Sequence, residues 1–414
     1  GTSKPLQTNH FYFLLYVFLG IMLYTSAYNF IRYNFVLEHA NDIREMSVFI
    51  SHVRYAVLTN FAIFICLFLV YKRKFSPLIW IGLCGWFLFY LYKSQIINGY
   101  LLFVLLLLVT FVYFVLKITS SKLRWTVFAT IGVAGSIITF VFFSALGRMN
   151  KCEPVQFSEL DLYTVNGNPY YHDTTNKDIE NGHYIWLYVN QEEMKAAWEK
   201  RSAIPYDSLD VKGQPMYGTL MRYLTSMDLR KDSLGVTMLS DTDVYKIEQG
   251  QTAIETNKGL VTRMNTLLME YRVYQNGGDP NGHSLIQRLE HMKAAVGIIG
   301  DHWLFGVGGG DVPLAFKQEY SQMNSRLLEE NQHRSHNQFL TLWVSLGVLG
   351  FALFIGLLIV PFFEVKSKDF FFFMVMVGLT FSCLFQDLIE TQAGVTIFAL
   401  FYALALYREN EVNT

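Results

Sequence analysis

Charge is scarce in this sequence. Asp, Glu, Lys and Arg make up 16% of its 414 residues, where a soluble domain carries roughly 25%. That deficit argues against a soluble globule and for a membrane protein. The formal net charge is −1 and no dense basic patch occurs, so no nucleic-acid partner is expected. Cysteine is equally sparse, with four in all. Cys66, Cys84 and Cys383 lie in apolar runs, and Cys152 stands alone in polar sequence. Without CxxC or a Cys/His cluster at metal-ligand spacing, neither a disulfide framework nor a zinc site is expected. No cofactor is expected either. A secretory signal pattern is missing too, as is an initiating methionine. The chain opens GTSKPLQ, so a processed or truncated start, with further membrane helices upstream, is the expectation.

Long apolar runs are what the sequence has in quantity. Eight stretches reach the roughly 20 apolar residues that a helical span needs. They lie at approximately 10–33, 52–71, 76–94, 98–117, 125–146, 337–362, 370–386 and 392–407. Basic residues follow alternate spans: Lys72, Arg73 and Lys74, then Lys117, Lys122 and Arg124, then Lys366 and Lys368. The other loops, Glu38 to Glu45, Ser94 to Gly99 and Gln386 to Gly394, are acidic or neutral. Basic loops stay in the cytoplasm, which puts both termini inside and exports the long polar segment. The expected organisation is five spans in 1–146, a large exported domain in 147–335, and three spans in 336–414.

The exported segment holds Trp186, Trp198, Trp303 and many tyrosines, enough to pack a small domain. EEMKAAWEKR (192–201) and TLMRYLTSM (219–227) read as amphipathic helices, and SLIQRLEHMKAAVGIIG (284–300) has strong helical periodicity. NGGDPNGHS (276–284) is a turn-rich break between them. DHWLFGVGGGD follows, with Gly306, Gly308, Gly309 and Gly310, and a polar helix holding Arg326 is expected to lead on to HRSHN. The glycine stretch lacks the Lys-Ser/Thr of a phosphate loop and any βαβ setting. A turn that closes the domain over the membrane is the preferred reading.

At His336 the polar segment meets the mouth of a span. Histidine can serve as a general base near neutral pH, and an ionisable group at such a mouth is a functional candidate. An interfacial histidine that only caps the helix is the competing reading. Asn337 either orients the imidazole or caps the helix. Gly347 and Gly350 read as a small-residue packing face. Arginines suit bidentate phosphate binding. Arg288 lies on the helix before the glycine turn, Arg54 at the outer end of the second span, and Arg326 and Arg334 approach His336 along the chain. Asp387 and Glu390 face the same side, and for Asp387 the plainer role of solvating a short loop is preferred.

These residues together resemble the O-antigen ligase/polymerase superfamily. Its H-[NSQ]-x9-G-x-x-G pattern is met by His336, Asn337, Gly347 and Gly350, and RLEHMKAAVGIIGDHWLFGVGGGD resembles the family's arginine-helix stretch. SHVRYAVL (51–58) and LIETQAG (388–394) resemble ligase-like segments as well. The resemblance implies an all-α polytopic membrane protein of GT-C type in the bacterial inner membrane, with about eight spans here and a mostly helical periplasmic domain. It implies a metal-independent, inverting glycosyltransferase that needs no cofactor. The donor would be an undecaprenyl-pyrophosphate-linked glycan, and the acceptor lipid A-core or another hydroxyl. His336 would be the general base and Arg288 the pyrophosphate ligand, with Arg54, Arg326, Asn337, Gln95 and Glu390 at the substrate. Two departures stand out. KSQIING carries Gln95 where the family often has an arginine, for which Arg54 is the candidate substitute. Family members also tend to have more than eight spans. O-antigen polymerases and protein O-oligosaccharyltransferases would use nearly the same residues. A polysaccharide transporter is the more distant alternative, disfavoured by spans almost free of charge.

Overall fold

The computed structural model describes residues 5–37, 43–149, 155–176, 178–211, 213–254, 270–271, 274–275, 277–281, 284–365 and 368–409. Cys152, Lys366, residues 38–42 of the acidic loop and residues 276, 282 and 283 of the turn-rich break lie outside them.

Helix dominates. The first five helices are α1 (Thr8–Ile31), α2 (His52–Tyr71), α3 (Pro77–Ser94), α4 (Ile97–Leu116) and α5 (Ser121–Met149). Four short helices follow: α6 (Gln191–Trp198), α7 (Met216–Ser226), α8 (Ser233–Thr237) and α9 (Asp241–Glu248). Next come α10 (Ser284–His302), α11 (Val312–Gln322), α12 (Gln338–Ile359), α13 (Phe370–Phe385) and α14 (Gln392–Leu406). Each apolar stretch expected to span therefore holds a helix. Among the described residues, four are long and apolar enough to cross a membrane: Thr8–Val36, His52–Tyr71, Ile97–Leu116 and Gln338–Glu364. Phe370–Phe385 and Gln392–Leu406 are apolar but shorter. The only β-pairing of named strands among the described residues is a hairpin, Ile179–Glu180 with His183–Tyr184.

The chain divides into two compact units. The first comprises Gly1–Phe128, Glu290–Ser325 and Gln332–Thr414, and the second Ala129–Leu289 and Arg326–Asn331. In the first unit α2 is the centre. Its sequence is apolar all round, and Phe61, Phe64, Ile65, Cys66, Phe68 and Leu69 are fully buried, as a helix without a polar face must be. Its one buried amide, Asn60, satisfies its Nδ2 on Gly99 O at 3.1 Å and Ala56 O at 2.8 Å. Gly99 of α4 makes that approach possible, since a Cβ there would sit 3.0 Å from the Ala56 Cβ.

The two ends of this bundle differ chemically. One collects cations over aromatic rings. Lys74 lies over Tyr12 at 4.4 Å and Lys117 over Tyr113 at 4.7 Å. Arg408 pairs with Asp369 and covers Phe11 and Phe371, each at 5.2 Å. The other end carries the start of α12 and the loop between α13 and α14, with His336, Asn337 and Glu390.

The second unit packs Trp198, Tyr223, Met194, Met216, Leu220 and Ile247 into its own core. Asn190 caps α6 through Glu193 N at 3.0 Å, and Ser240 closes a capping box with Asp243 on α9. Beside α6, buried Glu193 accepts from Thr164 Oγ1 at 2.6 Å, Asn168 Nδ2 at 2.7 Å and Ser233 Oγ at 2.7 Å. Burial opposes its ionisation. The hydrogen bonds from Thr164, Ser233 and Asn168 outweigh that and hold its carboxyl down at about 2.

Candidate active site at the mouth of α12

Asn337 is the N-cap of α12. Its Oδ1 accepts from Phe339 N at 3.0 Å and Leu340 N at 3.2 Å, satisfying two orphan donors of the first turn. Its Nδ2 donates to Leu384 O at 3.1 Å, tying the cap to the end of α13. The side chain is thus committed to capping and tethering. His336, the residue before it, takes a left-handed backbone at φ 52°, a conformation that costs an ordinary residue about 1 kcal/mol. That kink turns the imidazole at the point where the chain enters the helix.

The α13–α14 loop is stitched to this turn. Thr341 Oγ1 donates to Asp387 Oδ1 at 2.7 Å, and the His336 backbone N–H also bonds the Asp387 carboxylate. Buried Gln338 accepts Ile389 N at 2.8 Å and donates to Glu390 Oε1 at 3.3 Å. Arg334 pairs with Glu390 at 2.8 Å. Ser335, also buried, receives Asn337 N at 3.2 Å and sits 2.9 Å from Thr341 Oγ1. The result brings Asp387 to His336: its Oδ2 lies 3.9 Å from the imidazole Nδ1. The Asp387 side chain is 12% exposed and that of His336 41%. Burial pushes the Asp387 carboxyl above its ordinary range, with Glu390 adding to the rise. The Thr341 hydrogen bond, Arg334 and the His336 N–H work against it.

Two further imidazoles close on His336. His291, from α10, is 2% exposed, and its ring centroid lies 5.3 Å from that of His336 and 5.7 Å from that of His333. His333 and His336 are 6.1 Å apart. Tyr320 of α11 holds the His333 carbonyl at 2.7 Å and packs on His291 at 6.3 Å. No group of three or more His, Cys, Asp or Glu side chains among the described residues is arranged to hold a metal ion.

Gly347 departs from the expected packing face. Gly347 breaks α12 with φ 66° and ψ −165°, and the opened backbone pairs with the glycine turn. Val307 N donates to Val344 O at 2.8 Å, Gly308 N to Ser345 O at 3.0 Å, and Val348 N to Trp303 O at 2.9 Å. A Cβ at Gly347 would meet Leu304 O at 2.1 Å, and one at Gly306 would meet Gly347 N at 2.6 Å. Close approach of backbone to backbone, with a positive φ, is what demands glycine here. The turn 303–308 therefore docks on the α12 backbone itself.

The remaining candidates fall as follows. Arg54 lies on the first turn of α2, half-buried, with Nη1 3.4 Å from Ser51 Oγ. Its Nε is buried without a hydrogen-bond partner among the described residues. Gln95 ends α3 in a left-handed conformation, φ 51°, and is exposed. Arg288 lies half-buried on the opening turns of α10, in the second unit. Arg326 is corrected: it is not on a helix. α11 stops at Gln322, Asn324 turns at φ 48°, and Arg326 follows in irregular chain of the second unit, its guanidinium over Gly277. Reasoning from sequence passed over His291 and His333 and discounted Asp387. The helical period placed His291 on α10 without saying which face meets His336, and the Thr341 bond that aims Asp387 is tertiary.

Taken together, fold and site define a helical membrane protein with a histidine–carboxylate pair at the mouth of one helix. Residues 238–355 match the family model described as O-antigen ligase. That match, over less than a third of the chain, is a similarity to the O-antigen ligase superfamily and supports a ligase/polymerase-type, glycosyltransferase-like function. Neither the curated proteins nor the solved structures yield a match.

Proposed function

We propose that the protein transfers a glycan from undecaprenyl pyrophosphate to a hydroxyl of lipid A-core at the periplasmic face of the bacterial inner membrane. The observation that carries this is the His336–Asp387 pair at the head of α12, with His336 inside the segment matched by the O-antigen ligase model. A GT-C arrangement of eight spans, with 147–335 in the periplasm, goes with that reading. The basic end of the first unit would then face the cytoplasm and the His336 end the periplasm.

An acceptor hydroxyl is too weak an acid to ionise before attack. His336 therefore takes its proton as the carbon–oxygen bond forms, and Asp387 steadies the imidazolium that results. The anomeric carbon exchanges its pyrophosphate oxygen for the acceptor oxygen in one displacement, so its configuration inverts. Charge gathers on the departing pyrophosphate, and Arg288 is the residue proposed to neutralise it. Arg54, whose guanidinium keeps donors beyond its contact with Ser51, is proposed as a second phosphate ligand that substitutes for the arginine missing at Gln95. Roles for Arg326 and Glu390 at the substrate are part of the same proposal. In Glu390's case the role runs through Arg334, which it holds.

The test is an acceptor panel. Purified full-length protein receives a defined undecaprenyl-pyrophosphate glycan with core lipid, with a second copy of the lipid-linked glycan, or with a peptide. Glycosylated core lipid is the expected product. A longer lipid-linked glycan would make the enzyme a polymerase, and a glycopeptide would make it a protein transferase. No transfer to any acceptor would overturn the enzyme reading.

A further inference from the structure

Trp303, Leu304 and Phe305 follow α10 in direct succession, and all three are exposed, Phe305 to 81%. Single apolar side chains on a surface are ordinary, but a contiguous group of this size calls for a partner. Its place beside α12 says which. A Cβ at Gly347 would meet Leu304 O at 2.1 Å and Phe305 N at 2.6 Å. The turn therefore lies level with Gly347 and with Leu346 and Leu349, which α12 also exposes.

That level can be located in a bilayer. The first charged residue after the start of α12 is Glu364. A hydrocarbon core takes about 20 helical residues, and counting back from Glu364 by that length reaches Ser345. The edge of the core thus falls at the Gly347 break. Trp303 and Trp343 meet there, with Trp343 Nε1 donating to Trp303 O at 3.0 Å, and tryptophan favours that boundary. A break in a membrane helix frees backbone groups that hydrocarbon cannot satisfy. The turn satisfies three of them: Val344 O and Ser345 O accept Val307 N and Gly308 N, and Val348 N donates to Trp303 O.

We infer that Trp303, Leu304 and Phe305 form a wedge seated among the acyl chains of the leaflet on the His336 side. The glycine turn then enters the membrane instead of roofing it. Asp301 and His302 before the triplet and Asp311 after it are exposed. These groups belong among the headgroups and keep the insertion shallow, about 5–10 Å deep. α10 joins the wedge to the site, because His291 near its other end packs on His336 at 5.3 Å. α10 and α12 descend side by side from His336 to the break. The wedge sets the height of the site, with His336 roughly 15 Å along α12 from the core edge. None of this depends on the reaction assigned to His336.

The experiment is photocrosslinking of full-length protein in vesicles of phosphatidylethanolamine and phosphatidylglycerol. The photoreactive residue p-benzoylphenylalanine, which attacks nearby C–H bonds and yields no adduct with water, replaces Phe305, Leu304, Leu353 or Tyr245. Leu353, exposed on α12 beyond the break, reports lipid, and Tyr245, exposed on α9, reports solvent. Mass spectrometry should find adducts on phospholipid acyl chains at Phe305 in the yield seen at Leu353, and none at Tyr245. Leu304 decides the matter where the Phe305 variant fails to fold. Loss of acyl-chain adducts at both Phe305 and Leu304, beside a labelled Leu353, would overturn the wedge. Adducts to a second copy of the chain in place of lipid would overturn it as well.

Discussion

Asp387 Oδ2 stands 3.9 Å from His336 Nδ1, and the same carboxylate takes the Thr341 hydroxyl and the His336 backbone N–H. The carboxylate is therefore held in place by groups other than the imidazole. Asp387→Asn keeps the size and loses the charge. Its expected effect is a fall in kcat on the order of 10²-fold, at the low end of general-base contributions, with KM for the donor little changed. The pH profile is a further check. Burial raises the Asp387 carboxyl, so as pH falls it is neutralised sooner than an ordinary carboxylate, and the imidazolium loses its counter-charge. Wild type should therefore show an acid-side ionisation, set above the ordinary carboxylate range, that Asp387→Asn lacks.

Gly347 offers a structural prediction. Alanine there would carry a positive φ, costing about 1–3 kcal/mol, and would set its Cβ 2.1 Å from Leu304 O. The three backbone hydrogen bonds between the glycine turn and α12 would be disturbed with it. Gly347→Ala should lower the thermal midpoint of the detergent-solubilised protein sharply, or prevent folding. Gly356→Ala, lower on the same helix where nothing lies within 4 Å, should behave as wild type.

The Asn337 cap can be read by substitution. Asn337→Ala removes two first-turn hydrogen bonds and the tether to Leu384 O, for an expected loss of about 1–2 kcal/mol. Asn337→Ser restores the cap without the tether and should recover part of that loss. Thermal unfolding of the two variants against wild type checks the order.

In the second unit, Glu193 ionises at about 2, below a free carboxylate. A depressed pKa stabilises the folded form above the ordinary carboxylate range, and that stability is lost as pH falls towards about 2. Hydrogen exchange of peptides covering α6 should accelerate over that acid interval in wild type. Glu193→Gln should exchange faster already at neutral pH and show little of the acid step.

Much of the framework was legible beforehand because the physics behind it is local. Runs of 20 apolar residues specify helices, and α1 to α5 and α12 to α14 stand where those runs stand. α6, α7 and α10 follow amphipathic periods that can be counted along the chain. His336 and Asn337 could be picked out by their place at a span mouth. What escaped notice depends on distant residues meeting. Gly347 looked like packing because its partner, the 303–308 turn, is some forty positions away in the chain. Asp387 looked like loop solvation because Thr341, which aims it, comes from another helix. Polar composition around Arg326 reads as helix, whereas the chain leaves α11 at Gln322 and turns at Asn324 with a positive φ.

The central claim is that His336 removes the acceptor proton. Its most direct test is the single-turnover rate of His336→Ala, measured with purified full-length protein and a defined undecaprenyl-pyrophosphate glycan, with chelator present throughout. The account predicts folded protein that still binds the donor, a transfer rate down by roughly 10²–10⁴-fold, and wild type unaffected by the chelator. A variant that transfers at the wild-type rate would contradict it.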